Sequence, residues 1–282
     1  MKRQWRYLLK TLILKISCSA LIGLLITTCL HGAARSQNSV FLEEMTTQEV
    51  SAALKAGKTT VLIPIGGTEQ NGPHMVIGKH NVRVKALAGK IAAQLGNAMV
   101  APVLAYTPEG NIDPPTEHMG FAGTISITDD VFRAVLLGAA RSFQKHGFLD
   151  VVLLGDSGNY QKSLAQAAEQ FKRGAGKSPT RLHALPEYYR VVQTTYVEAL
   201  RLKGLSANEI GSHAGSADTS LSMAIDPALV RPQRFAEAHQ AGKSGGTAGD
   251  PRAASAANGQ IGIDAVVKIS ADAIKMATSV AR

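Results

Sequence analysis

The chain has 282 residues, of which 45% are hydrophobic and only 5% aromatic, as is typical of a globular protein with an aliphatic core. Its formal net charge of +9 overstates the basic character, because residues 1–36 hold six basic and no acidic residues. The remaining residues carry 24 basic and 21 acidic side chains, and this net charge of +3 gives no reason to expect a nucleic-acid or membrane partner. Both cysteines, Cys18 and Cys29, lie in the same first segment, so the rest of the chain has no disulfide and no thiol nucleophile.

Residues 1–36 have the pattern of a secretory signal peptide. A basic start is followed by an apolar stretch around 21–26, and small residues lie at Ala34 and Ser36. We expect cleavage after Ser36, or alternatively after Ala34, and export of residues 37–282 to the periplasm. An uncleaved membrane anchor is the other interpretation, since Lys15 lengthens the charged region.

Alternating strand and helix patterns predict one α/β domain over residues 37–282. Apolar runs bounded by turn residues predict strands at 60–65, 98–103, 151–154 and 182–185. Apolar residues at helical spacing predict helices at 46–56, 82–95, 129–145, 160–173 and 188–203, a helical run ending near 224, and a last helix over 251–280 interrupted near 259–262. In the second helix Arg83 is expected on the polar side. Residues 105–123 form a long loop, a length that is usually functional or disordered. The order of elements predicts a three-layer α/β/α sandwich with a mostly parallel sheet.

Polar side chains crowd into the stretch that follows the first strand. The motif GGTEQNGPH occupies residues 66–74, and His80 lies shortly after it. In open α/β sheets, ligands bind at the carboxyl ends of the strands. Glutamate and histidine side chains at that edge can hold a metal ion or transfer protons.

This stretch resembles the opening motif of the creatininase (creatinine amidohydrolase) family, which reads Gly-Ser-Thr-Glu-Gln-His-Gly-Pro-His-Leu-Pro-Leu-x-x-Asp. Four further segments resemble the family's pattern in the family's order, at residues 117–124, 155–159, 213–220 and 249–252. The resemblance implies a creatininase-like fold and hydrolysis of an amide by water shared between two divalent ions. It also implies assembly as a homo-oligomer, a hexamer in the family.

The metal-ligand positions of this chain depart from the family pattern. Glu69 is kept, Asn71 and Asp156 replace histidines, and His80 replaces the bridging aspartate. Carried over position by position, the resemblance implies these ligands: Glu69, Asn71, His80, Asp156 and Asp218. Because an imidazole cannot bridge two ions as a carboxylate does, we expect one Zn²⁺, Mn²⁺ or Fe²⁺ ion, held by Glu69, His80 and Asp156.

The resemblance also implies the remaining roles in the site. His213 is the implied acid–base group, acting with Glu69 on a metal-activated water. The implied substrate contacts are His74, Glu117, His118 and Asn159. Family members that hydrolyse creatinine have a tryptophan shortly before the histidine that matches His213, and this chain has Glu209 there. We therefore expect a different small non-peptide amide, cyclic or linear.

Two alternatives remain open at this point. The loss of ligand positions also fits a metal-free, catalytically inactive periplasmic relative that binds a small molecule. A metal-free serine hydrolase would use Ser157 and His213. Ser157 does not, however, lie in the Gly-x-Ser-x-Gly elbow of α/β-hydrolases, because the second glycine comes one residue early.

Overall fold

The structure is a computed structural model that describes residues 39–174 and 176–280. The predicted signal peptide at 1–36 lies outside the described residues. Within them, no helix combines the length and the hydropathy needed to cross a membrane.

Four parallel strands form the central sheet in the order β2–β1–β3–β4. The strands are β1 Thr60–Ile65, β2 Ala98–Val100, β3 Asp150–Gly155 and β4 Arg181–Ala184. All residues of β1 and β3 are buried, because a parallel sheet is covered on both faces. The predicted strands are confirmed, although β2 is shorter than expected. From β1 the chain moves to β2 on one side and later to β3 on the other, so the carboxyl ends of β1 and β3 border the switch point where ligands bind in such sheets.

Helices cover both faces of this sheet, which confirms the predicted three-layer α/β/α sandwich. The helices are α1 Thr47–Lys55, α2 Lys79–Leu95, α3 Asp129–Lys145, α4 Gln161–Gly174, α5 Pro186–Gln193, α6 Thr195–Leu202, α7 Ala207–Ile210, α8 Ser216–Ile225, α9 Phe235–Ala241 and α10 Ala256–Ser279. On one face, Leu62 and Leu154 pack with residues of α2, α5, α6, α8 and α10. On the other, Val61 and Leu153 pack with residues of α3 and α4.

Three details of the predicted helices are wrong. The helix expected over 188–203 is divided at Thr194, whose ψ of −85° departs from the helical range. The last helix begins at Ala256 and continues through its glycines. A Cβ on Gly259 would lie 1.9 Å from the backbone oxygen of Ser220, so this glycine allows close packing against α8 and does not interrupt the helix. Arg83 is 5% exposed and therefore does not lie on a polar outer face of α2.

Candidate active site

The turn after β1 is held tightly against α2. Gly67 has a φ of +135°, which non-glycine residues rarely adopt, and a Cβ there would lie 2.5 Å from Oε1 of Glu109. The Gly67 N–H donates to Oδ1 of Asn81 at 3.0 Å. A Cβ on Gly66 would meet the same Oδ1 at 2.1 Å. The two glycines therefore allow the turn to reach α2, and the following Glu69 is only 1% exposed.

His80, on the first turn of α2, connects residues that follow two neighbouring strands. Its Nε2 lies 2.9 Å from Oε1 of Glu69, after β1, and its Nδ1 lies 2.6 Å from Oδ2 of Asp156, after β3. Both ring nitrogens face carboxylate oxygens, which favours the imidazolium, and Nη2 of Arg83 also lies 3.1 Å from Nδ1. Burial and the charge of Lys79 oppose this charge, but Glu69 and Asp156 outweigh them and raise the pKa of His80.

Two buried cations lie one helical turn apart on α2 beside His80. Lys79 is 1% exposed, and it donates to Oδ2 of Asp218. Arg83 donates to Oδ1 of Asp218 at 2.5 Å and to Oδ2 of Asp156 at 2.8 Å. Burial alone would raise the pKa of both aspartates, but Arg83 and His80 hold the pKa of Asp156 below its usual range, and Lys79 and Arg83 hold that of Asp218 well below it. We call these three cationic and three acidic side chains the ionic cluster: Glu69, Lys79, His80, Arg83, Asp156 and Asp218.

A second set of ligand atoms meets at the same glutamate. Oε2 of Glu69 lies 3.5 Å from Nε2 of His118, and Oε1 lies 3.7 Å from Nδ1 of His213. One ligand atom from each of the three residues lies within 4.8 Å of the others, whereas ligands about 2.0–2.1 Å from a tetrahedral zinc ion are about 3.3–3.4 Å apart, so a bound ion would draw these side chains closer together. Oε2 of Glu69 makes no hydrogen bond within the described part of the chain. Glu69, His118 and His213, which we call the triad, could therefore hold a metal ion.

Gln70 orients both histidines of the triad. Burial first, and the charge of Lys79 second, lower the pKa of His213 to about 4, so its ring is neutral at pH 7. Its Nε2 lies 3.0 Å from the backbone oxygen of Gln70 and 3.2 Å from the side-chain amide nitrogen of Gln70; donation to the backbone oxygen leaves Nδ1 unprotonated and facing Glu69. The side-chain amide of Gln70 lies 3.0 Å from Nδ1 of His118, so the Nε2 of His118 faces Glu69. Such outer contacts are usual around metal-binding histidines.

Glu109, on the long loop, is a further acidic group beside Glu69. Burial first, and the charge of Glu69 second, raise the pKa of Glu109 to about 8. Its two oxygens are held by the hydroxyl of Thr107 at 2.7 Å and by Nδ2 of Asn159 at 2.9 Å. At pH 7 the Glu109 carboxyl group is therefore mostly protonated and uncharged.

The ionic cluster and the triad border one cavity of about 230 Å³. One of its walls is formed by these charged and imidazole groups. The cavity is also lined by apolar and aromatic side chains: Tyr189, Val192, Tyr196, Val197, Ile210 and Leu221. A cavity of this size with both polar and apolar lining residues fits a small molecule that carries an apolar part next to a polar group.

The structure places most of the predicted site residues around this cavity. Those lining it are Glu69, His80, His118, Asp156, Asn159, His213 and Asp218. Asn71, expected as a ligand, is instead buried in the turn, where its Nδ2 donates to the backbone oxygens of Glu69 and Val76. His74, expected to contact substrate, is also fully buried, with its Nε2 3.0 Å from Oγ1 of Thr219. Glu117 is exposed and lines a separate cavity of about 620 Å³ along the long loop.

The serine hydrolase alternative requires a Ser157–His213 hydrogen bond, which does not occur among the described residues. Oγ of Ser157 accepts instead from the backbone N–H of Asn159 at 3.4 Å. Both ring nitrogens of His213 face Gln70 and Glu69. The structure therefore offers no activated serine at this position.

Three residues of the site were missed by the sequence interpretation: Lys79, Arg83 and Glu109. Lys79 and Arg83 are four residues apart around His80, so all three lie on one side of α2. That spacing is a usable signal, because the side that carries a predicted metal ligand must face the site. Glu109 gives no comparable signal, since it lies in a loop without periodicity.

The fold and the site together define a parallel three-layer α/β/α protein with an acid–histidine centre at the carboxyl edge of its sheet. Residues 43–274 match the family model of creatininase, creatinine amidohydrolase. The chain therefore belongs to the creatininase family.

Similar proteins within the family carry the names of different activities. The chain is 30% identical over 239 residues to a mycofactocin precursor peptide peptidase of Mycolicibacterium smegmatis, covering 76% of this chain and 84% of that protein. It is 27% identical over 204 residues to a creatinine amidohydrolase of Pseudomonas putida, covering 71% and 76%. A crystal structure of creatinine amidohydrolase superimposes with a TM-score of 0.69 at 25% identity, covering 86% of this chain and all of that one. Similar creatininase structures are described as a manganese form and a zinc–zinc form.

Proposed function

We propose that this protein is a hydrolase that cleaves an amide bond in a small molecule, with one divalent metal ion held by Glu69, His118 and His213. The observation that carries the proposal is the convergence of the triad: one ligand atom of each residue lies within 4.8 Å of the others, and Oε2 of Glu69 has no hydrogen-bond partner among the described residues. The similarity to creatinine amidohydrolases and to a peptidase supports an amide substrate.

The triad fits a catalytic zinc site by its donor set. Two histidines and one glutamate, with a position left for water or substrate, form an established zinc centre, and manganese and iron accept the same ligand types. When bound, such an ion activates water and polarises a carbonyl group. In this proposal His213 is a ligand, whereas the sequence led us to expect an acid–base group.

The reaction also requires residues of the chain to transfer a proton. Amide hydrolysis forms a C–O bond and breaks the C–N bond, and a proton from the attacking water ends on the leaving nitrogen. His80 lines the cavity and holds protons on both nitrogens beside Glu69 and Asp156. In this proposal His80 gives a proton to the leaving nitrogen and takes up the proton of the attacking water in exchange.

The size and lining of the cavity restrict which amides can bind. Its volume of about 230 Å³ fits a compact cyclic or linear amide, and the wall around Tyr189 and Tyr196 favours an apolar or planar substituent. A panel should therefore contain cyclic amides, simple linear amides and, because of the peptidase relative, short peptides.

The direct test is metal content, measured by plasma mass spectrometry on chain purified without chelators. We expect about one zinc, manganese or iron ion per chain, lost in Glu69→Gln, His118→Ala and His213→Ala. His146→Ala is the matched control, because His146 is exposed at the end of α3 and should leave the ion content unchanged.

Wild-type protein that stays metal-free after incubation with divalent ions would refute the metallohydrolase. The cavity would then support the metal-free binding protein, which ligand titration with the same amide panel would reveal. Loss of the ion in all three variants, together with turnover of one member of the panel, would establish the activity.

A further inference from the structure

Lys79 and Arg83 contact three further side chains that could ligate a metal ion, namely His80, Asp156 and Asp218. Lys79 and Arg83 are 1% and 5% exposed. Lysine and arginine are almost never buried this deeply unless acidic side chains pair with them. The carboxylates of Asp156 and Asp218 are joined through Arg83, at 2.8 Å and 2.5 Å. Two aspartates and an imidazole are ligands that a divalent ion prefers.

These ligand atoms are already used by protein groups. Oδ1 of Asp156 accepts from the hydroxyl of Tyr188 at 2.8 Å, and Oδ2 accepts from His80 and Arg83. Oδ2 of Asp218 accepts from Lys79 and from the backbone N–H of Ala214. A divalent ion could bind here only by displacing a buried guanidinium, so the observed contacts do not fit an ion at this position.

We infer that the side chains of Lys79 and Arg83 replace a second divalent ion. Together they supply the two positive charges that such an ion would bring, and they hold Asp156, Asp218 and His80 in place. This inference extends the proposed function, in which the triad holds one ion. A similar creatininase structure is described as a zinc–zinc form. If the inference holds, this chain has the same fold but binds one metal ion fewer.

The test is to remove the cations and count ions again. Arg83→Met keeps most of the side-chain volume and removes the charge, and the Lys79→Met/Arg83→Met double variant removes both charges. We expect each variant, titrated with zinc, to bind one more ion per chain than the wild type. Metal addition should also raise the melting temperature of these variants by more than it raises that of the wild type.

Two controls separate charge from general destabilisation. Arg83→Lys keeps a cation and should bind no additional ion. Arg181→Met removes a cation that pairs with Asp150 at the opposite edge of the sheet, and it should lower stability without adding an ion.

A further variant covers the case in which Arg83→Met does not fold. Asp156→Asn keeps the shape of the side chain and should bind as many ions as the wild type, because Asp156 is no ligand in the native protein. Two ions in wild-type protein, fewer ions in Asp156→Asn, or no additional ion in the folded methionine variants would each overturn the inference. An additional ion in the methionine variants would support it even if the wild type bound none, a result that would reject only the proposed triad.

Discussion

Nε2 of His80 lies 2.9 Å from Oε1 of Glu69, although one residue is on a helix and the other is in the turn after a strand. Both side chains are almost completely buried. Glu69 is also the residue shared by the ionic cluster and the triad, so this contact links the two. The position of the triad therefore depends on an imidazolium that is not part of it.

Replacing His80 should destabilise the whole fold. His80→Phe leaves Glu69 and Asp156 buried without their shared donor, and breaking a buried ion pair in this way costs about 3–5 kcal/mol. Urea denaturation followed by circular dichroism would measure the loss. His146→Phe, at an exposed position, should change the free energy of unfolding by less than about 0.5 kcal/mol. Equal stability of the two variants would contradict the network described for His80.

Changing Gln70 should weaken metal binding without removing a ligand. Gln70→Ala removes the amide 3.0 Å from Nδ1 of His118, and loss of such outer contacts lowers metal affinity about 10–100-fold. Competition with a zinc chelator would measure the change. Gln260→Ala, which alters an exposed glutamine of α10 paired with Asp264, should leave the affinity unchanged. Unaltered affinity in Gln70→Ala would mean that Gln70 does not orient the triad.

The contribution of His74 to stability should fall as the pH falls below 6.5. Burial, as the largest cause, lowers the pKa of His74 from 6.5 to about 4. Between these values the unfolded chain binds the proton more readily than the folded chain, so acid favours unfolding. The expected contribution is about 2 kcal/mol between pH 7.5 and pH 5. Urea denaturation at both pH values should show a smaller loss in His74→Gln. Some dependence should remain, because the pKa of His213 is lowered in the same way.

Two glycine-to-alanine changes within helices should have opposite effects. Gly259→Ala places a methyl group 1.9 Å from the backbone oxygen of Ser220 and should cost about 1–3 kcal/mol or more. Gly138→Ala, in α3, meets no atom within 4 Å and should gain up to about 1 kcal/mol from helix propensity. Thermal unfolding of both variants would test this difference. Stabilisation by Gly259→Ala would show that α10 and α8 do not pack as closely as described.

The sequence predicted the strands, the layers and much of the cavity. Glu69 and Asp156 could be assigned to one edge of the sheet because each follows an apolar run that reads as a buried strand. The burial of Arg83 could not be predicted, since a basic residue on an amphipathic helix normally faces solvent, and only the packing of α2 against β3 brings it to Asp156. The position of Glu109, held by Thr107 and Asn159, depends on the path of an irregular loop, which local patterns do not specify.

Gly66 has no side chain to contribute to catalysis, but its position is among the most restricted in the molecule. A Cβ there would lie 2.1 Å from Oδ1 and 2.8 Å from the Cα of Asn81, and rotation of a side chain cannot relieve the second contact. In a random mutagenesis library selected for active protein, codon 66 should therefore retain glycine as strictly as codon 69 retains glutamate. A position that is invariant under selection need not take part in the chemistry.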